Sequence, residues 1–80
     1  MTEQKIQKKR IDQLEAEGYY VIKLIKTNKN GIPDLIAIPP NTPVLFSEVK
    51  TKTGRTSKLQ DYRLKELEKY GFKVEVYNGD

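Results

Sequence analysis

Cysteine and histidine are both missing from this eighty-residue chain. Without cysteine no disulfide can staple the fold, and without either residue thiolate and imidazole chemistry are excluded. Any metal held here must be a hard cation bound by oxygen, such as Mg²⁺ or Mn²⁺, rather than zinc. Long apolar runs are also lacking. Nothing approaches the roughly 18 residues of a membrane span, and Met1-Thr2-Glu3-Gln4-Lys5 has no apolar core of a signal peptide. A cytoplasmic protein with no membrane partner is expected.

Eighty residues make one domain, and a domain this small hides only about 60% of the surface its unfolded chain exposes. Self-association is the remaining route to more buried area. Fifteen Lys and Arg against eleven Asp and Glu leave a net charge of +4, which leans toward an anionic partner.

Residues 3 to 17 predict a first helix, free of Gly and Pro and stopped at Gly18. At 100° per residue Ile6, Ile11 and Leu14 share an arc of about 140°. Glu3, Gln7 and Arg10 fall inside the same arc. Glu3 suits the positive end of the helix dipole; a polar stripe on an apolar face can equally point into a site. Tyr19 to Ile25, Asp34 to Ile38, Val44 to Lys50 and Phe72 to Tyr77 read as strands. Asn30-Gly31 is a hairpin-type signal, and Pro39-Pro40-Asn41-Thr42-Pro43 makes the next turn. Ser57 with Gln60 fits a capping box, opening a second helix that ends near Tyr70. Leu59, Leu64, Leu67 and Tyr70 form its expected inner arc, with Gln60 and Arg63 within it. Tyr62 and Tyr70 read as core or interface residues, and Asn78-Gly79-Asp80 as a frayed tail. The order α-β-β-β-α-β predicts an α/β fold: three antiparallel strands, then a right-handed crossover to a parallel fourth.

Three charges interrupt the apolar strands. If the Pro-rich turn closes symmetrically, Ile38 pairs with Val44 and Asp34 lies opposite Glu48. Opposed side chains have Cβ atoms about 4.5–5.5 Å apart, and two carboxylates there repel by on the order of 3 kcal/mol at an effective dielectric near 20. A cation must sit between them. Lys50 projects from the same face as Glu48, so an ammonium and a divalent cation are both candidates. The simpler alternative is a Glu48–Lys50 ion pair with Asp34 capping the turn after Pro33.

Pro33-Asp34, thirteen intervening residues, then Glu48-Val49-Lys50 resembles the PD-(D/E)xK nuclease motif. Gly31-Ile32-Pro33-Asp34-Leu35-Ile36-Ala37, the run from Glu48-Val49-Lys50 through Ser57, and Gln60 resemble its VRR-Nuc branch more closely. Glu3 with Ile6-Gln7 resembles that branch's N-terminal helix. The resemblance spans nearly the whole chain. It implies a restriction-endonuclease-like core over residues 1–80, a mixed four-stranded sheet flanked by helices, and a divalent-metal-dependent endonuclease. Asp34, Glu48 and the Val49 carbonyl would then hold Mg²⁺, with Mn²⁺ able to substitute. Lys50 would position the attacking water, and Gln60 and Glu3 would line the site. Gln60 has a rival role as the partner of Ser57 in the capping box. Minimal members of the branch resemble homodimeric four-way-junction resolvases, which implies branched DNA and a second copy as partners, and no nucleotide cofactor. Flap, single-strand or nicking activity, a catalytically silent DNA-binding module and a structural subunit are the alternatives. Lys52, Arg55 and Lys58 follow the catalytic strand into a helix N-terminus and are the expected DNA contacts. Lys8, Lys9, Lys26 and Lys29 could extend that path, but charged faces are usually just solvated, and they are not counted among the expected contacts.

Overall fold

A computed structural model describes residues 2–41 and 43–79. Its elements run in the expected order: α1 (Glu3–Ala16), β1 (Tyr20–Lys23), β2 (Leu35–Ile38), β3 (Leu45–Thr51), α2 (Lys58–Lys69) and β4 (Lys73–Gly79). They build one mixed sheet in the order β1-β2-β3-β4. The first two pairings are antiparallel and the β3–β4 pairing is parallel.

The β2–β3 register pairs Leu35 with Ser47, Ile36 with Phe46 and Ala37 with Leu45. Continued by one residue, it places Asp34 against Glu48, as symmetric closure of the Pro-rich turn requires. Strand alternation then sorts the side chains onto two faces. Leu35 and Val49 face α1 and pack against Ile6, all three 1% exposed or less. Phe46 and Glu48 face the other way, where Phe46 meets Phe72 edge-on with ring centroids 5.3 Å apart and α2 lies over β4.

Both helices carry N-terminal side-chain caps, the one on α2 being the capping box expected from Ser57 and Gln60. Thr2 Oγ1 accepts the Lys5 N–H at 3.3 Å to open α1. After Glu17 the chain turns through Gly18 at φ +95°, a conformation glycine adopts without Cβ strain.

Four details differ from the expectations. β1 is shorter than Tyr19–Ile25, because after the Leu24 N–H donates to the Asp34 carbonyl (2.7 Å) the chain leaves the sheet. The β1–β2 connection is therefore a loop from Leu24 to Asp34, not a tight hairpin at Asn30-Gly31. β4 is longer than Phe72–Tyr77: Asn78 and Gly79 pair with Lys50 and Thr51 rather than fraying. The Asn78 side chain fixes that end by donating to the Thr51 and Gly54 carbonyls, each at 2.9 Å; Asp80 lies outside the described residues, as does Thr42 of the turn. Finally, α2 turns Gln60, Arg63, Leu64 and Leu67 inward and leaves Leu59, Tyr62 and Tyr70 42%, 58% and 77% exposed. The polar residues at its start are drawn toward partners beneath, which rotates the two tyrosines out of the core.

Candidate active site

Glu48 sits on a strand hydrogen-bonded on both sides, with 1% of its surface exposed. Its Oε2 accepts the Gln60 Nε2–H at 3.2 Å and lies 3.4 Å from the Lys50 ammonium. Its Oε1 is buried and has no partner among the described residues. A buried acceptor left alone costs about 1–3 kcal/mol, more for a charged group. Burial, then the neighbouring Asp34 carboxylate, push the Glu48 carboxyl up to about 7, against the opposing pull of Lys50.

Asp34 stands at the head of β2, where Pro33 before it disfavours helix and the strand begins. Its Oδ2 accepts the Val49 N–H at 2.9 Å, bridging β2 to β3. In an antiparallel pair the N–H and C=O of one residue point to the same neighbour. The Val49 carbonyl therefore leaves the strand on the Asp34 side. Lys50 is held against Gly54: a Cβ there would lie 3.2 Å from Lys50 Cβ and 3.0 Å from Thr51 Oγ1.

Gln60 completes the capping box and also contacts Glu48, although sequence set the two uses against each other. Its Oε1 accepts the Ser57 N–H (2.9 Å) and its own N–H reaches Ser57 Oγ (3.1 Å), completing the capping box. The same amide's Nε2 reaches Glu48. Because the cap requires the oxygen, the nitrogen is left for the carboxylate, so the amide orientation follows from the network.

The structure thus brings together Asp34, Glu48, Lys50 and Gln60. Glu3 is not joined to them by a hydrogen bond or ion pair. It is exposed on the first turn of α1, which packs on the sheet face opposite to Glu48. Gln7 is buried, its Oε1 without a partner among the described residues. Arg10 instead forms a two-pronged pair with Glu75 on β4, at 3.0 and 2.9 Å. Glu75 also accepts from Ser47 Oγ at 2.5 Å, and the Arg10 guanidinium lies 4.5 Å from the Tyr77 ring centre. Of the polar stripe of α1, Arg10 therefore meets a network on the far face. Lys52, Arg55 and Lys58 are exposed and make no ion pair among the described residues.

Arg63 was not foreseen as a participant. Its Nε donates to the Asn30 carbonyl at 3.0 Å, tying α2 to the loop before Asp34. Its place beside Gln60 on one helical face, one turn on, was the available signal.

Among the described residues no third Asp, Glu, His or Cys completes a metal-binding cluster. The donors on offer are two carboxylates, one with a buried vacant oxygen, and a backbone carbonyl. That set fits Mg²⁺, which takes one or two carboxylates and keeps several waters and phosphate oxygens.

The chain matches the VRR-NUC domain family over residues 2–80. A solved structure described as a VRR_NUC domain superposes with a TM-score of 0.84 at 31% identity, covering 96% of this chain and 84% of that one. No curated protein matches. Among the described residues no helix is long and apolar enough to cross a membrane.

Proposed function

Given that the chain belongs to the VRR-NUC domain family, a nuclease-type fold, we propose that it is a cytoplasmic, Mg²⁺-dependent, structure-selective DNA endonuclease, acting as a homodimer that resolves four-way junctions. The observation that carries the proposal is the Glu48 carboxylate, buried beside Asp34 with Oε1 vacant. A scaffold without catalytic duty would gain by replacing that acid with an apolar side chain.

Asp34, Glu48 and the Val49 carbonyl would hold the metal. When bound, it would supply a charge that acidifies a water and offsets the phosphoryl oxygens. Gln60 and Lys50 both engage Glu48 Oε2, which leaves Oε1, without a partner among the described residues, as the oxygen that would take the metal. Lys50, 15% exposed in its side chain, has its remaining N–H groups free to orient the attacking water and to offset charge on the phosphate. Lys52, Arg55 and Lys58 would grip the DNA backbone beside the α2 N-terminus. Two copies related by a two-fold axis would cut opposed strands symmetrically.

The test is cleavage of labelled four-way junction, flap and linear duplex in Mg²⁺ or EDTA, beside Lys50→Ala. Paired symmetric nicks on the junction, lost in EDTA and in Lys50→Ala, are expected. Preference for flap or single-stranded ends would replace the resolvase assignment, and no cleavage in Mg²⁺ or Mn²⁺ would sink the enzyme assignment.

A further inference from the structure

The loop from Leu24 to Asp34 is built, and nothing above gives it work. Its neck is closed by the Leu24–Asp34 backbone bond. Thr27 Oγ1 donates to the Lys29 carbonyl at 2.7 Å and accepts the Lys29 N–H at 3.3 Å. Arg63 pins it at Asn30, and Gly31, at φ +80°, lies so close to α2 that a Cβ would come within 2.8 Å of Leu59 Cγ. Within it lies an open cavity of about 300 Å³ whose lining runs from Lys26, Thr27 and Lys29 to Asp34. Both lysines are exposed, and neither forms an ion pair among the described residues.

Topology decides what such a cavity can serve. β2 begins and β3 ends at the same edge of the sheet because the two are antiparallel. Within the order β1-β2-β3-β4, the Leu24–Asp34 loop then stands at the β1–β2 side of the Asp34–Glu48–Lys50 centre, and the loop carrying Lys52 and Arg55 leaves from the end of β3. A polymer strand with one phosphate at the centre must continue past it in both directions, and each continuing phosphate carries charge that a nearby ammonium neutralises. One side already has its cations. On the other, Arg63 is engaged at Asn30, and the loop's own exposed cations among the described residues are Lys26 and Lys29.

We infer that the cavity of the Leu24–Asp34 loop is a DNA-backbone subsite, in which Lys26 and Lys29 take the phosphates flanking the scissile one on the side away from Lys52 and Arg55. The inference rests on the nuclease reading for the position of the scissile phosphate, and its test is separable from that reading. Anchored at its neck, at Asn30 and at Gly31, the loop holds the two ammonium groups ready, so the subsite acts by positioning the strand over Asp34.

The test is fluorescence anisotropy of the full chain with labelled four-way junction in EDTA across a salt titration, beside cleavage in Mg²⁺. Lys26→Gln/Lys29→Gln alters two exposed side chains and leaves Thr27, Asn30 and Gly31 in place. It should bind about tenfold or more weakly, with a salt dependence shallower by about two phosphate contacts. Lys8→Gln/Lys9→Gln, on α1, removes the same net charge and should keep the unaltered protein's slope. Cleavage by the loop variant should fall through a raised KM more than through kcat. Equal binding and slope in the loop variant, or an equal loss in the α1 variant, would overturn the subsite while leaving cleavage by the unaltered protein intact. Absence of cleavage with the loop-specific binding loss present would overturn the nuclease reading and keep the subsite.

Discussion

Glu48 makes the metal-free protein pH-sensitive in an unusual direction. Its carboxyl titrates near 4.5 when unfolded and about 7 when folded. Between those values the folded chain holds a proton that the unfolded chain has released. Stability is therefore full at lower pH and falls as pH rises through 7. The full loss is on the order of 3 kcal/mol, a large share of the total for a small domain. Urea denaturation in EDTA should show this decline, and Glu48→Gln should abolish it while eliminating cleavage. Gln60 gives a second, finer prediction. Gln60→Ala keeps Ser57 as the N-cap but removes the side-chain half of the capping box and the donor to Glu48, and should cost about 1 kcal/mol. Gln60→Glu keeps an oxygen for Ser57 but replaces the donor facing Glu48 by an acceptor, so its instability should grow with pH more steeply than that of Gln60→Ala, which only loses the donor. Parallel melts across pH distinguish the two. The Asp34–Glu48 juxtaposition was legible because strand counting from a symmetric turn is local arithmetic. The double use of one amide was not, since a capping box written in sequence does not say where its spare N–H points.

Among the elements, β4 and α1 show what pattern reading passes over. A glycine near the chain's end reads as a tail, yet Gly79 lies in β4, and a Cβ on it would come within 2.7 Å of Ile6 Cγ2 and 3.1 Å of Tyr77 Cε2. Gly79→Ala should therefore destabilise by about 1–3 kcal/mol, measured by thermal denaturation, although alanine is otherwise the better strand residue. The inner arc of α2 misled for a related reason. Leu59 and Tyr70 fit a helical stripe, but the helix rolls to satisfy Gln60 and Arg63, whose partners lie on other elements and leave no trace in local periodicity. The Arg10–Glu75 pair joins residues 65 apart in sequence, a separation at which charge patterning carries no signal.

Seen whole, the chain exposes 5606 Å², against about 5,000 Å² for a monomer of 9.3 kDa. Part of the excess is apolar and shares one sheet face. Tyr20, Ile22 and Ile38 project from β1 and β2 on the side of Glu48, beyond the reach of α2, at 70%, 42% and 36% exposed. A two-fold dimer of standard size hides about 800 Å² per partner, and this face is the one that the proposed homodimer would cover. Sedimentation should show dimers for the unaltered chain and monomers for Tyr20→Glu, with the metal-free melting temperature dropping in parallel. A Tyr20→Glu variant that stays dimeric would place the contact elsewhere.

The shared amide of Gln60 has one more consequence. It makes the opening turn of α2 and the ionisation of Glu48 parts of one equilibrium. Whatever is bound at Glu48, proton or cation, shifts the fraying of that turn, and reciprocity requires fraying to shift the affinity at Glu48 by the same factor. A substitution at Ser57, which touches no acid, should therefore alter how tightly the proposed centre would hold a cation. The helix start is a dial on the carboxylate, and the carboxylate is a gauge of the helix.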